Sequence, residues 1–156
     1  MKPLMRNEKH TDAVRQILHG AGITGMLVAE TGLAALDAAK GAYVLVIDLF
    51  DDVSVRLPKR EPTRLEAGTY LYVGSANGPG GMAARLKRHM SNAKKIHWHV
   101  DQLTTRASSV VAFAVKGGNE CALGQTLIES KQFRPALKGF GSSDCKACDS
   151  HLLVSI

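Results

Sequence analysis

The stretch "GTYLYVGSANGPGG", residues 68–81, carries two of the three tyrosines of a 156-residue chain. "TYLYVG" (69–74) is dense in aromatic and β-branched residues, which favour a pleated strand. Gly, Ser, Asn and Pro then break the strand, and "MAARLKRHM" (82–90) follows with helical spacing. Period-two alternation puts Tyr70, Tyr72 and Gly74 on one strand face. Working outward, "AYVLVID" (42–48) reads as a buried strand on which Tyr43, Leu45 and Ile47 share a face. "DD" at 51–52 reads as a turn, and "VSVRL" (53–57) as a half-exposed strand. Residues 58–67, with two prolines, read as a loop. The three strands are expected to form an antiparallel meander, because the first connection is too short for a crossover helix.

Downstream, "SVVAFAV" (109–115) reads as a further strand and His99–Arg106 as a short helix. "NECALGQTLIESK" (119–131) reads as a helix capped by Asn119, and the tail as a loop ending in a short strand. Upstream, Val14, Ile17, Leu18 and Ala21 have helical spacing, and Leu33–Lys40 suggests a second helix with Thr31 as its cap. The expected class is α+β, a small, mainly antiparallel three-stranded sheet flanked by helices. Residues 1–39 are read as an N-terminal extension and 40–156 as the functional domain; Met26 is a candidate natural start.

Composition narrows the function classes. Lys and Arg total 20 against 14 Asp and Glu, a net charge of +6. "RLKRHMSNAKK" (85–95) holds six cations, counting His89, and no acid, which suits a phosphate backbone or a solvated basic face. No apolar run is long enough to span a membrane and the N-terminus lacks a signal-peptide core, so a soluble, cytoplasmic protein is expected. An odd cysteine count argues against a disulfide framework.

Several residues could carry chemistry. Arg85 and His89 are four apart, so they share the helix face that borders the stripe of Met82, Ala83, Leu86 and Met90. Lys87 and Arg88 are expected to point outward. Glu120 falls on the inward face with Leu123 and Leu127, where Gly124 permits close packing. It is either a dipole-stabilised helix start or a carboxylate ligand for Mg²⁺ or Mn²⁺. "CKACDSH" spaces Cys145, Cys148 and His151 as zinc ligands are spaced, with Cys121 as a fourth if the tail folds over its helix. "HWHVD" (97–101) offers His97 and His99 for nucleic acid, for a metal, or for packing around Trp98.

"GAY" (41–43), "YVG" (72–74), "SAN" (75–77), "ARLKRH" (84–89) and the helix from Glu120 resemble, in order, the motifs of the GIY-YIG nuclease superfamily. "KKIHWHVDQL", "ECALGQTL" and "GFGSSDC…SHL" resemble a poorly characterised prokaryotic branch related to those nucleases, some of whose relatives are fused to an endonuclease III-like repair protein. The resemblance covers about residues 40–155. It implies a GIY-YIG-like fold and a metal-dependent DNA endonuclease, structure-specific or repair-related. Tyr43 would be general base or water-positioning group, Tyr72 would position the nucleophile or scissile phosphate, Arg85 would stabilise phosphate charge, His89 would assist proton transfer and Glu120 would bind the metal. A phenol titrates near ~10, so Tyr43 is expected to need cationic neighbours that lower its pKa. Gly74, Ser75, Lys87, Arg88, Lys94, Lys95, His97 and His99 are the expected nucleic-acid contacts. Ala42 stands where the family has Ile, and a late polar residue of the family has only Ser142, Ser143 or Asp144 as counterparts. The rival readings are an inactive nucleic-acid-binding module and a zinc-stabilised protein-interaction domain.

Overall fold

The structure is a computed structural model. It describes every residue except Met1, Asp37, Asn92, Ala93, His97 and 142–147, and leaves out the side chains of 2–7, 30, 31 and 34. His97, Cys145, Ser142, Ser143 and Asp144 therefore lie outside the described residues.

The chain runs through α1 (Lys2–Gly20), β1 (Met26–Val28), a 3₁₀ helix (Glu30–Leu36), β2 (Gly41–Leu49), β3 (Val53–Val55), β4 (Thr63–Leu65) and β5 (Gly68–Ala76). It continues through α2 (Gly81–Met90), α3 (Asp101–Thr104), β6 (Ser109–Lys116), α4 (Glu120–Glu129), β7 (Phe133–Pro135) and β8 (Leu152–Ser155). The class is α+β, with a mainly antiparallel sheet, as expected. The sheet is larger than the three strands expected: six strands stand in the order β1-β6-β2-β5-β8-β7, and every pairing is antiparallel.

The meander is corrected too. Residues 53–55 do not join β2; they pair with 63–65 in a separate two-stranded sheet. The Asp52 carboxylate explains the detour. It accepts the Ala67 N–H at 2.7 Å and binds the Arg64 guanidinium, closing the base of that hairpin. The alternation in "VSV" is real, but it turns Val53 and Val55 into the core without attaching them to the main sheet. β5 then returns directly onto β2, and β6 takes β2's other edge.

β2 is buried along its whole length because both faces are covered. On one face Ala42, Val44 and Val46, with Leu71, Val73 and Phe113, pack against Val14 and Leu18 of α1 and Leu123 and Leu127 of α4. On the other, Tyr43, Leu45, Ile47, Tyr70 and Tyr72 pack with Met82 and Leu86 of α2 and Leu103 of α3. Within residues 1–39, α1 thus packs on the sheet and β1 adds an edge strand to it. The second upstream helix is a 3₁₀ helix at Glu30–Leu36, not at 33–40. Asn119 caps α4 as its sequence suggests, accepting the Ala122 N–H at 3.0 Å.

Candidate active site and adjoining metal-ligand cluster

The β2–β5 register sets the site. Tyr43 stands opposite Gly74, and Leu45 opposite Tyr72, so both phenols lie on one face, on diagonal positions. The missing side chain at 74 is what admits the Tyr43 ring: a Cβ there would sit 2.5 Å from Tyr43 Oη. Gly74 therefore makes room for a phenol, a different role from the nucleic-acid approach expected of it. Tyr70 lies farther down the strand, where its hydroxyl donates to the Glu66 carbonyl at 2.7 Å.

α2 lies against this face, its start held where Met82 N donates to Ala39 O at 2.8 Å. The four-residue spacing turns Arg85 and His89 to the same side. Tyr43 Oη and His89 Nε2 share a hydrogen bond of 2.6 Å, both residues being about 1% exposed. Arg85 donates to the Ser75 carbonyl at 3.0 Å, and its guanidinium lies 4.4 Å from the Trp98 ring centre. Tyr43, Tyr72, Ser75, Arg85, His89 and Glu120 line one cavity of about 200 Å³, together with Trp98, Gly141 and His151. The five expected catalytic residues, Tyr43, Tyr72, Arg85, His89 and Glu120, from β2, β5, α2 and α4, thus meet around one space.

Burial sets the electrostatics. It pushes the Tyr43 phenol far up, with the Tyr72 phenol adding to the shift, and Arg85 pulls it only partly back. Tyr72 is raised to about 12, first by burial and then by the charge of Glu120. His89 is pushed down to about 3 by burial, with Lys94 reinforcing it. The expectation of a phenol with a lowered pKa is corrected: the Arg85 cation does not outweigh desolvation. At neutral pH the pair is a neutral phenol bonded to a neutral imidazole. Its Nδ1 is buried and meets no hydrogen-bond partner among the described residues.

The basic segment divides. Lys87 and Lys95 are exposed, as a surface contact requires. Arg88 and Lys94 turn inward, contrary to expectation. Arg88 donates to buried Asp101 at 2.7 Å and lies 4.7 Å from the Trp98 ring centre. The Lys94 ammonium donates to the carbonyls of Arg88 and His89 and to Thr104 Oγ1. A carboxylate buried in α3 draws both cations in, because an unpaired buried charge is costly. His99 is also committed, since its Nδ1 accepts the Gly141 N–H at 2.8 Å. That bond holds the "GFG" turn over Tyr72, where Gly141 has φ 68° and a Cβ would stand 2.8 Å from the tyrosine ring. The role of this turn was not read from the sequence, although two glycines around a Phe signal a forced backbone.

A second group adjoins the cavity. Cys121, in the first turn of α4, meets Cys148 and His151 from the segment before β8, and their ligand atoms all lie within 4.8 Å of one another. This group could hold a metal ion. The tail does fold over α4, the condition set for Cys121 to join the group: Cys121 Sγ lies 3.8 Å from His151 Nε2. Beyond the cavity, Arg56, Lys59 and Arg60 line an open groove of about 700 Å³ that shares Trp98 with it. These cations fall within five consecutive residues of the β3–β4 connection, a stretch read from the sequence only as strand end and loop.

Among the described residues, no helix is long and apolar enough to cross a membrane. No curated protein and no solved structure matches the chain. One family model, described as "Domain of unknown function DUF123", matches residues 42–156, a span that holds the whole cavity wall. The chain belongs to that DUF123 family.

Proposed function

We propose that this protein is a cytoplasmic, metal-dependent endonuclease that hydrolyses DNA phosphodiesters, a GIY-YIG-like nuclease with a structure-specific or repair task. The observation that carries the reading is the single cavity lined by Tyr43, Tyr72, Arg85, His89 and Glu120. A guanidinium, a carboxylate and two phenols facing one space suit a phosphodiester: Arg85 offers a planar fork to the phosphate and compensates charge as it develops. The groove with Arg56, Lys59 and Arg60, and exposed Lys87 and Lys95, supply a path for the charged strand.

The donor set fits one divalent cation. Among the described residues Glu120 is the one carboxylate in the cavity wall, and its charge is felt by both phenols. Mg²⁺ or Mn²⁺ commonly takes one or two carboxylates and completes its shell with water and phosphate oxygens. When bound, such a cation would neutralise phosphate charge and raise the acidity of water. The attacking water's proton would pass to bulk solvent, and the protonated Tyr43, fixed by His89, would orient that water by hydrogen bonding without ionising. Tyr72 holds the phosphate or the water from the neighbouring strand. For Cys121, Cys148 and His151 the occupant that suits two sulfurs and an imidazole is Zn²⁺.

The test is cleavage of branched, nicked and duplex DNA with Mg²⁺ or Mn²⁺. Arg85→Ala and Glu120→Ala should each lose ~10²–10³-fold in rate. Wild-type rates in both variants would refute the assigned site. Salt-sensitive binding with no metal-dependent cutting by the wild type would instead favour the inactive binding module.

A further inference from the structure

His151 faces two sets of groups at once. Its Nε2 lies beside Cys121 Sγ within the Cys121–Cys148–His151 cluster. Its other ring nitrogen, Nδ1, is buried, has no hydrogen-bond partner among the described residues and lies 3.7 Å from Glu120 Oε2. The main chain at this position is held on both sides, since His151 N donates to Phe140 O and Val73 N donates to His151 O, each at 2.9 Å. A polar nitrogen buried without a partner is uncommon and calls for a cause.

We propose that a zinc ion on Cys121, Cys148 and His151 orients Glu120 through the His151 ring, so that the thiolate site positions the carboxylate of the cavity. This rests on the reading of Glu120 as the ligand of the catalytic cation. An imidazole that gives Nε2 to a metal carries its proton on Nδ1, and an N–H there donates to a carboxylate or carbonyl in most such sites. Here the group that Nδ1 faces is Glu120. Zinc loading would therefore give the orphaned nitrogen a proton and a partner together. Thiol protons leave to solvent as the metal binds, and no electron is transferred. Sulfur ligands select zinc over Mg²⁺, so the two cations do not compete for one set of donors. His151 acts here as a positioning residue, because it reaches the cavity chemistry through Glu120.

The full chain, without DNA or Mg²⁺, is titrated with Co²⁺ and then with Zn²⁺ against a chromophoric chelator. A thiolate-to-cobalt charge-transfer band at one equivalent is expected, absent in Cys121→Ser and Cys148→Ser. Glu120→Ala should keep the band and lose ~10-fold in zinc affinity. Glu120→Gln, which retains an acceptor oxygen, should fall between Glu120→Ala and wild type. Absence of the band in the wild type, or a zinc affinity in Glu120→Ala equal to wild type, overturns the proposal. Circular dichroism checks folding, and the Glu120 arm stands even if a cysteine variant fails to fold. The readout needs no cleavage: altered zinc affinity in a protein that never cuts DNA sinks the nuclease reading alone. Cutting with unaltered zinc affinity sinks this inference alone.

Discussion

The two faces of the β2–β5 pair are drawn from the same two strands by alternation, yet they do different work. The face toward α1 and α4 is aliphatic along its middle, with Val44, Val46, Leu71 and Val73 filling it, and ends, away from the cavity, in the buried Asp48–Thr69 pair, bonded at 3.2 Å. The face toward α2 is buried too but carries Tyr43 and Tyr72 at one end, packed against His89 of α2. A hydrocarbon layer on one side holds the strands in register, and that register presents a phenol opposite a glycine on the other. The cavity lies where the strands end, beside Ser75 and the "GFG" turn. Most of the cavity wall thus lies on the face opposite the aliphatic layer, with Glu120 of α4 reaching it from the aliphatic side, and substitutions in the middle of that layer should affect stability more than the site.

The largest expected effect on stability comes from the aliphatic face. Leu71→Ala should cost ~2–5 kcal/mol in chemical denaturation, through lost burial and a residual cavity. Cutting per folded molecule should stay at the wild-type rate; a selective loss of rate would mean that the faces are not separate.

Next comes acid sensitivity on the polar face. His89 falls to about 3 from an ordinary 6.5, so below pH 6.5 the unfolded chain binds the proton that the folded chain refuses. Stability from this group is therefore fully present above pH 6.5 and is lost as pH falls toward 3, with a slope approaching ~1.4 kcal/mol per pH unit. His89→Gln should flatten this part of the curve relative to wild type. Parallel wild-type and variant curves between pH 6 and 4 would show that His89 does not titrate as a buried neutral group.

The smallest effect should come from Tyr70→Phe, which removes the hydroxyl bound to the Glu66 carbonyl. It should cost ~0.5–1.5 kcal/mol and leave cutting unchanged. A drop in rate there would move the cavity's edge farther down β5 than Tyr72.

How much of this was legible follows from how local each signal is. The alternation in "TYLYVG" and the apolar run 42–48 identified both long strands and paired the right tyrosine faces. The spacing of Arg85 and His89 placed them on one side, and Asn119 marked the start of α4. What was missed depends on distant partners. Nothing in "SVVAFAV" says that it borders β2, nor in "VSV" that it leaves the main sheet, because strand neighbours are chosen by tertiary packing. Arg88 reads as an outward cation and Lys94 as a nucleic-acid contact until Asp101, buried in another helix, is found between them. The lowered phenol pKa that the general-base role of Tyr43 required is overturned by desolvation, which no spacing reports. Glu120 stood out on its helix, while its neighbour His151 lies 31 residues away in sequence and meets it only in the fold.

The central claim, that the cavity between α2, α4 and the two tyrosine strands cuts DNA with a cation held by Glu120, has one most direct test. DNA binding and Mn²⁺-dependent cleavage are measured side by side for wild type and Glu120→Gln on the same nicked and branched duplexes. The account predicts near-equal binding and a loss of cleavage of ~10²-fold or more, because the cation is worth several kcal/mol of transition-state charge stabilisation. Cleavage by Glu120→Gln at the wild-type rate would contradict it.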